Sequence, residues 1–185
     1  MTRQDGKRML LFILLIFWMG LIFFFSAKPA VQSAKMSTSV GKMIGRVVVP
    51  EFEEWSDTKQ DAFAKKIDFA VRKSAHACEY AVLSVLFFVN YKKKSRKIKQ
   101  IVGMSALSTA LYAVTDEIHQ LFVPGRSGQI TDVILDSCGG LIGAVLSAII
   151  LYLIRKRKKE PKNGSNTRKK CRILLWCKTR CRYSI

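Results

Sequence analysis

The chain has 185 residues, of which 49% are hydrophobic, and it carries 32 lysines and arginines against 13 acidic residues, for a net charge of +19. The basic residues lie in blocks between four long apolar stretches, whereas a soluble nucleic-acid-binding protein would spread them over its surface. This arrangement excludes most soluble classes, and four stretches are too few for a transporter built from two repeated bundles.

The first apolar stretch, residues 9–27, has no charged residue and is long enough to cross a hydrocarbon core of ~30 Å as a helix. Basic residues at positions 3, 7 and 8 and the small residues that follow the stretch are also typical of a cleaved secretory signal. Because the apolar core exceeds the ~7–15 residues of such a signal, we predict a retained membrane anchor.

Residues 28–73 separate the first span from the second. Residues 29–50 contain two glycines and two prolines, which predict irregular structure. Further along, Ser56 or Asp57 can cap a helix whose apolar residues recur at three- and four-residue spacing. These residues are Ala62, Phe63, Ile67, Ala70 and Val71. We therefore expect an external amphipathic helix that lies on the membrane surface and leads into the second span.

Three further apolar stretches cover residues 74–91, 100–122 and 130–154. Each is long enough to cross a bilayer as a helix, and the ionisable residues within each gather toward one end. Gly139 and Gly143 form a small-xxx-small face, which predicts close contact with another helix. With the first span, these stretches predict an all-α, integral membrane four-helix bundle.

The positions of the basic residues predict the orientation of this bundle. Residues 1–8, 92–99 and 155–185 would share one side, and they hold 22 of the basic residues with two acids. The positive-inside rule places that side, and both termini, in the cytoplasm. The chain then consists of a short N-terminus, a membrane domain over 9–154 and a basic tail. The basic blocks predict contact with anionic membrane lipids, and no specific nucleic acid is expected as a partner.

Ionisable and amide side chains gather near the outer ends of the second, third and fourth predicted spans. On the second span Arg72, His76 and Glu79 recur at four- and three-residue spacing, so they lie on one helix face. On the third span Asp116 and Gln120 share a face, and Glu117 points about 100° away. The whole set is Arg72, His76, Glu79, Asp116, Glu117, Gln120, Asp132 and Asp136.

An ionised carboxylate in the middle of a membrane costs at least ~2.5–3.5 kcal/mol. We therefore expect these side chains to face one another in a polar cleft that opens to the outside. In the loop over residues 122–128, a Pro124-Gly125 turn can place Arg126 over the mouth of the cleft. A plainer alternative is that the polar pairs only fix helix packing, but packing needs fewer than five carboxylates.

Two strings identify a relationship. RKSAHACEY over residues 72–80 and TDEIHQLFVPGR over residues 115–126, followed by Asp132 and GGLIG over residues 139–143, resemble the VanZ-like membrane protein family. The resemblance covers about residues 9–154. It implies a multi-pass protein of the bacterial cell envelope with a role in resistance to teicoplanin, a glycopeptide antibiotic. Asp136 stands where many relatives are expected to have asparagine, which adds a charge to the cleft.

Two functions fit such a cleft. A binding protein would hold a cell-wall precursor, a lipid headgroup or a glycopeptide, with Arg72, His76 and Arg126 on phosphate or carboxylate groups. A membrane-embedded hydrolase or transferase would act on a lipid-linked envelope substrate, with His76 and either Glu79 or Asp116 in acid–base catalysis or on a divalent cation. We predict the binding protein; the sequence assigns no metal and identifies no cofactor.

Overall fold

The computed structural model describes residues 3–92 and 97–159, and all regular structure in these ranges is helical. There are five α-helices, with a short 3-10 helix, Phe52–Glu54, between the second and third. They are α1 (Arg3–Ser26), α2 (Ala30–Val48), α3 (Asp57–Tyr91), α4 (Ile98–Gln120) and α5 (Ile130–Lys159). The all-α prediction is confirmed. Most of the predicted basic tail, from residue 160 onward, and residues 93–96 of the basic loop lie outside the described residues.

Two helices in the described ranges are long and apolar enough to cross a membrane, Gln4–Ser26 within α1 and Ile130–Lys158 within α5. The second predicted span lies within α3, and the third ends two residues beyond α4. The predicted amphipathic segment and the second span are one continuous helix of 35 residues. At 1.5 Å per residue, α3 is about 50 Å long, which is more than the ~30 Å thickness of a hydrocarbon core.

The prediction of irregular structure for residues 29–50 is wrong, because most of this segment forms α2. Its two glycines are contact points instead of breaks in the helix. A Cβ atom on Gly41 would lie 3.2 Å from the Cα atom of Ala64, and one on Gly45 would lie 2.5 Å from the Phe52 ring. Both glycines therefore allow α2 to pack closely on the 3-10 helix and on the first half of α3.

Polar contacts also join α2 to α3. The Lys42 ammonium lies 2.6 Å from a carboxylate oxygen of Asp61, and this hydrogen bond lowers the pKa of the Asp61 carboxyl. Elsewhere along the same two helices, the Ser37 hydroxyl donates a hydrogen bond to Asp68. The other oxygen of Asp68 lies 2.9 Å from an Arg72 Nη2 atom, so α2 indirectly orients this arginine.

Helices α1, α3 and α4 share an apolar core. Its buried members are Leu15, Ile22, Tyr80, Leu83, Phe87 and Ala113. Side chains also donate to the backbone of a neighbouring helix: the Trp18 indole to the Glu79 carbonyl at 3.1 Å, and the Tyr112 hydroxyl to the Met19 carbonyl at 2.7 Å. These bonds connect α1 to both partners and fix its register against them.

Helix α5 meets α3 through the small-residue face that the sequence predicted. A Cβ atom on Gly139 would lie 2.4 Å from the Ala77 carbonyl oxygen, and one on Gly143 would lie 2.3 Å from the Ala81 carbonyl oxygen. Contacts this short leave no room for a side chain, so the two backbones approach as closely as glycine permits. The predicted helix contact is confirmed.

Candidate functional site

A cleft lies between α2, α3 and the loop that joins α4 to α5. It contains two adjoining cavities of about 270 Å³ each, and Ser33, Arg72, His76 and Arg126 belong to the walls of both. The structure therefore brings the two arginines and the histidine of the sequence prediction together at the junction of the cavities. Each volume is close to the lower end of the ~300–1,000 Å³ range of small-molecule sites.

The two cavities differ in character. The first is largely apolar, and its hydrophobic walls come from α1, α2 and α3. They are Phe25, Met36, Val40, Val71 and Ala75, with Lys28 and Glu79 as further charged residues. The second is polar and extends toward the start of α5, where its walls include Lys73, Gln120, Ser127, Gln129 and Asp132. A ligand that filled both would need one apolar part and one polar part.

Arg126 is held at the junction by the loop predicted to place it there. Its Nε atom donates to the Lys28 carbonyl at 3.1 Å, and an Nη2 atom donates to the Ser33 hydroxyl at 3.2 Å. Gly125 has a φ of 76°, a left-handed value that suits glycine and shapes this turn. Burial lowers the pKa of the Arg126 guanidinium, an effect that Asp116 opposes and Arg72 reinforces. An arginine nevertheless stays protonated in proteins, so the junction carries a positive charge.

Positive charge exceeds negative charge along the walls of the two cavities. The cations are Lys28, Arg72, Lys73 and Arg126, and the carboxylates are Glu79 and Asp132. Lys73 pairs with Asp132, and Arg72 pairs with Asp68. Among the described residues, no carboxylate lies within 4.0 Å of the Arg126 or Lys28 nitrogens. The cleft is thus suited to an anion, and it is less acidic than the sequence predicted.

His76 and Glu79 lie one turn apart in the wall of the first cavity. The Nδ1 atom of His76 is 3.7 Å from a carboxylate oxygen of Glu79, and both side chains are partly exposed. This distance is too long for a hydrogen bond, and the Nδ1 atom is buried without a hydrogen-bonding partner. Among the described residues, the Nδ1 atom of His76 is therefore unpaired, and the side chains of both residues line the first cavity.

Asp116 does not line either large cavity. It is 2% exposed, and its Oδ2 atom accepts hydrogen bonds from the Ser26 hydroxyl at 2.7 Å, the Tyr80 hydroxyl at 3.0 Å and the Gln120 amide at 3.2 Å. These donors come from α1, α3 and α4. Asp116 is therefore the centre of a buried polar node, and in this structure it joins three helices instead of facing a ligand.

The sequence analysis missed Ser26 and Tyr80 as partners of Asp116. Ser26 carries the single hydroxyl of residues 9–27 and ends α1, which was the available signal for a polar contact. Tyr80 follows His76 by four residues and so shares its helix face, which was the available signal for this residue.

Glu117 and Asp136 lie beside a third, much smaller cavity. With Lys73, His76, Gln120 and Asp132 they line a space of about 10 Å³, which is roughly the room that one water molecule needs. The Glu117 carboxylate accepts the Gln129 backbone N–H at 2.6 Å, and Asp136 is buried. Within residues 3–92 and 97–159, no three His, Cys, Asp or Glu side chains are grouped so as to hold a metal ion.

The chain matches a known protein family. The family model VanZ/LLP1 matches residues 11–152, a range that contains every residue of both cavities and of the Asp116 node. No curated protein and no solved structure matches the chain. The family match and the two apolar helices together indicate a membrane protein. As the two strings around residues 72–80 and 115–126 predicted, the chain belongs to the VanZ/LLP1 family.

Proposed function

We propose that the chain is a four-span protein of the bacterial cell envelope, with both termini in the cytoplasm. In this arrangement α1, the second half of α3, α4 and α5 cross the membrane. An outward-facing apolar stripe on α4 supports a membrane position for that helix, since its members recur at four- and three-residue spacing. They are Leu107, Leu111, Val114 and Ile118, all of them exposed. Helix α2 and the first half of α3 would then lie at the outer surface.

Labelling of single cysteines separates four spans from two. In a variant without the native cysteines, Thr58→Cys should react with a membrane-impermeant maleimide in intact cells, because the start of α3 is outside. Lys92→Cys, at the end of α3, should react only after the cells are opened, since four spans place it in the cytoplasm. If only α1 and α5 crossed the membrane, both positions would be labelled in intact cells, and the four-span proposal would fail.

We further propose that the cleft binds an anionic group of an envelope ligand, which is a cell-wall precursor, a lipid headgroup or a glycopeptide. The observation that carries this proposal is the Arg126 guanidinium, which lies at the junction of two cavities without a carboxylate partner among the described residues. Charge-assisted hydrogen bonds from arginine to phosphate or carboxylate are among the strongest that proteins form. Family membership supports the consequence, a lower susceptibility to teicoplanin-type glycopeptides.

A second function is favoured by the His76 and Glu79 pair. A histidine and a carboxylate that face each other at 3.7 Å in the wall of a ligand-sized cavity have the composition of an acid–base pair. The chain would then be a hydrolase or transferase on a lipid-linked substrate. Turnover of such a substrate by the purified protein, abolished in His76→Gln, would establish the enzyme. If the wild-type protein showed no turnover, binding alone would be favoured.

The binding function is tested by removing one guanidinium at a time. Arg126→Gln and Arg72→Gln should each weaken ligand binding by about tenfold or more, because each loses a charge-assisted contact. The minimum inhibitory concentration of teicoplanin should then fall toward that of a host without the protein. Arg46→Gln is the matched control, since Arg46 lies on α2 and pairs with Glu53 away from the cleft.

Amounts of each variant in the membrane are measured in parallel, so that loss of the protein is not mistaken for loss of function. If both arginine variants protect the host as well as the wild type does, at equal amounts, the cleft does not bind the relevant anion.

A further inference from the structure

We propose that the ligand of the cleft is a lipid phosphate. Its phosphate would lie between Arg72 and Arg126, its hydrocarbon tail would occupy the first cavity, and its polar headgroup would extend into the second. This inference rests on the proposed function in one respect only, which is that both place a ligand in the same cleft.

The polarity of the walls changes at the junction of the two cavities. Arg72 and Arg126 belong to both cavities, yet the walls on one side are mainly apolar and those on the other side are much more polar. An amphiphile with a negative charge at the boundary of its two parts matches this order. Inorganic phosphate would leave the apolar cavity empty, and a neutral lipid would leave the Arg126 guanidinium without a counter-charge, whereas Arg72 already pairs with Asp68.

Exposed apolar residues form part of the wall of the first cavity. Three of its wall residues are also part of the exposed apolar surface: Phe25 is 37% exposed, Met36 is 41% exposed and Val40 is 47% exposed. On α2 this surface continues past the cavity through Met43 and Val47. If α2 lies at the outer membrane boundary, a tail can enter the cavity from the lipid without crossing water.

Cationic side chains lie near the proposed position of the phosphate. Two of the five N–H donors of Arg126 are used by the Lys28 carbonyl and the Ser33 hydroxyl, so donors remain for a ligand. The Lys28 ammonium lies 5.0 Å from the centre of the Phe25 ring, at the wall of the first cavity. Two carboxylates stand against Lys28, Arg72 and Arg126: Glu79 in the cavity wall and Asp68, which pairs with Arg72. A positive excess therefore remains for a phosphate.

Three probes of matched chemistry test the assignment on the purified full chain in neutral detergent, with bound molecules counted by native mass spectrometry. Dioleoylphosphatidic acid carries both tail and phosphate, dioleoylglycerol lacks the phosphate, and inorganic phosphate lacks the tail. Phosphatidic acid should bind at least about tenfold more tightly than either of the other two, because only it makes both kinds of contact.

Variants then separate the two subsites. Arg72→Gln should weaken phosphatidic acid binding by about tenfold, and Val40→Gln by about threefold, because the first removes a charge and the second an apolar contact. The matched controls on α2, Arg46→Gln and Val47→Gln, should bind as the wild type does. Circular dichroism on heating checks that each variant is folded.

Three results would overturn the lipid assignment: equal binding of dioleoylglycerol, equal binding of inorganic phosphate, or no binding of phosphatidic acid by the wild type. The proposed function fails differently. If phosphatidic acid does not bind but the arginine variants lose teicoplanin protection, the cleft acts on another anion. If phosphatidic acid binds and protection is unchanged, the lipid site stands without the resistance function.

Discussion

Replacing Asp116 with alanine is expected to lower the free energy of unfolding by about 2–4 kcal/mol, the cost of losing two interhelical hydrogen bonds and leaving their donors buried. The Oδ2 atom of Asp116 accepts from Ser26, Tyr80 and Gln120, all of which are buried. Alanine would leave the buried Ser26 and Tyr80 hydroxyls without this acceptor, and Gln120 would keep only Ser26. Because the donors belong to α1, α3 and α4, the loss should affect the whole bundle.

The measurement is unfolding by sodium dodecyl sulfate in mixed micelles, followed by the fluorescence of Trp18, which lies in the α1–α3 contact. Asp116→Asn retains one acceptor oxygen and nearly the same shape, so it should lose less than half as much. Thr115→Ala is the control at the neighbouring position, where the exposed hydroxyl bonds only to the Tyr112 carbonyl at 2.7 Å. Equal stability of the wild type and Asp116→Ala would show that the node does not hold the helices together.

The node also supports the cleft. Gln120 donates to both Asp116 and Ser26, at 3.2 Å in each case, and its side chain is part of the wall of the second cavity. Helix α4 ends at this residue, and the loop with Arg126 follows. Two residues after Ser26, the Lys28 carbonyl accepts the hydrogen bond from Arg126. The Asp116 node therefore fixes the ends of α1 and α4, and these helix ends position the Arg126 guanidinium.

Much of the fold follows from hydrophobic length. The predicted first, third and fourth spans correspond to α1, α4 and α5, because uninterrupted apolar stretches of this size form helices. Their ends agree within a few residues, except that α1 begins earlier and α5 ends later than predicted. Helix α2 was missed because Gly41 and Gly45 were interpreted by their conformational freedom alone. Their four-residue spacing places them on one helix face, and only the position of Ala64 and Phe52 reveals why small residues are needed there.

The site was predictable where it depends on local sequence. The four-residue spacing of Arg72 and His76 puts both on one face of α3, and the Pro124-Gly125 turn returns Arg126 to the same cleft. The role of Asp116 was not predictable in the same way. Its depth in the span indicates only that it needs partners, and its Ser26 partner lies ninety positions away in the chain. Which acids face a cavity is decided by such distant contacts.

Replacing Gly143 with alanine is the second large expected effect, a loss of about 1–3 kcal/mol in the free energy of unfolding, the usual cost of overpacking a closely packed contact. A Cβ atom there would lie 2.3 Å from the Ala81 carbonyl oxygen, and the obstacle is backbone that cannot rotate away. Helix α5 would have to move from α3. Gly139→Ala should behave alike, since its Cβ atom would lie 2.4 Å from the Ala77 carbonyl oxygen.

The matched control is Gly103→Ala on α4, where a Cβ atom would have nothing within 4 Å. Alanine is a better helix former than glycine by about 0.8–1.0 kcal/mol in soluble hosts, so this variant should be as stable as the wild type or more so. The three variants share one chemical change and differ only in the space around it. If Gly143→Ala and Gly139→Ala were as stable as Gly103→Ala, α5 would not contact α3 closely at these residues. A loss confined to Gly139 and Gly143 would instead support a direct backbone contact between the two helices that carry Arg72 and Asp132.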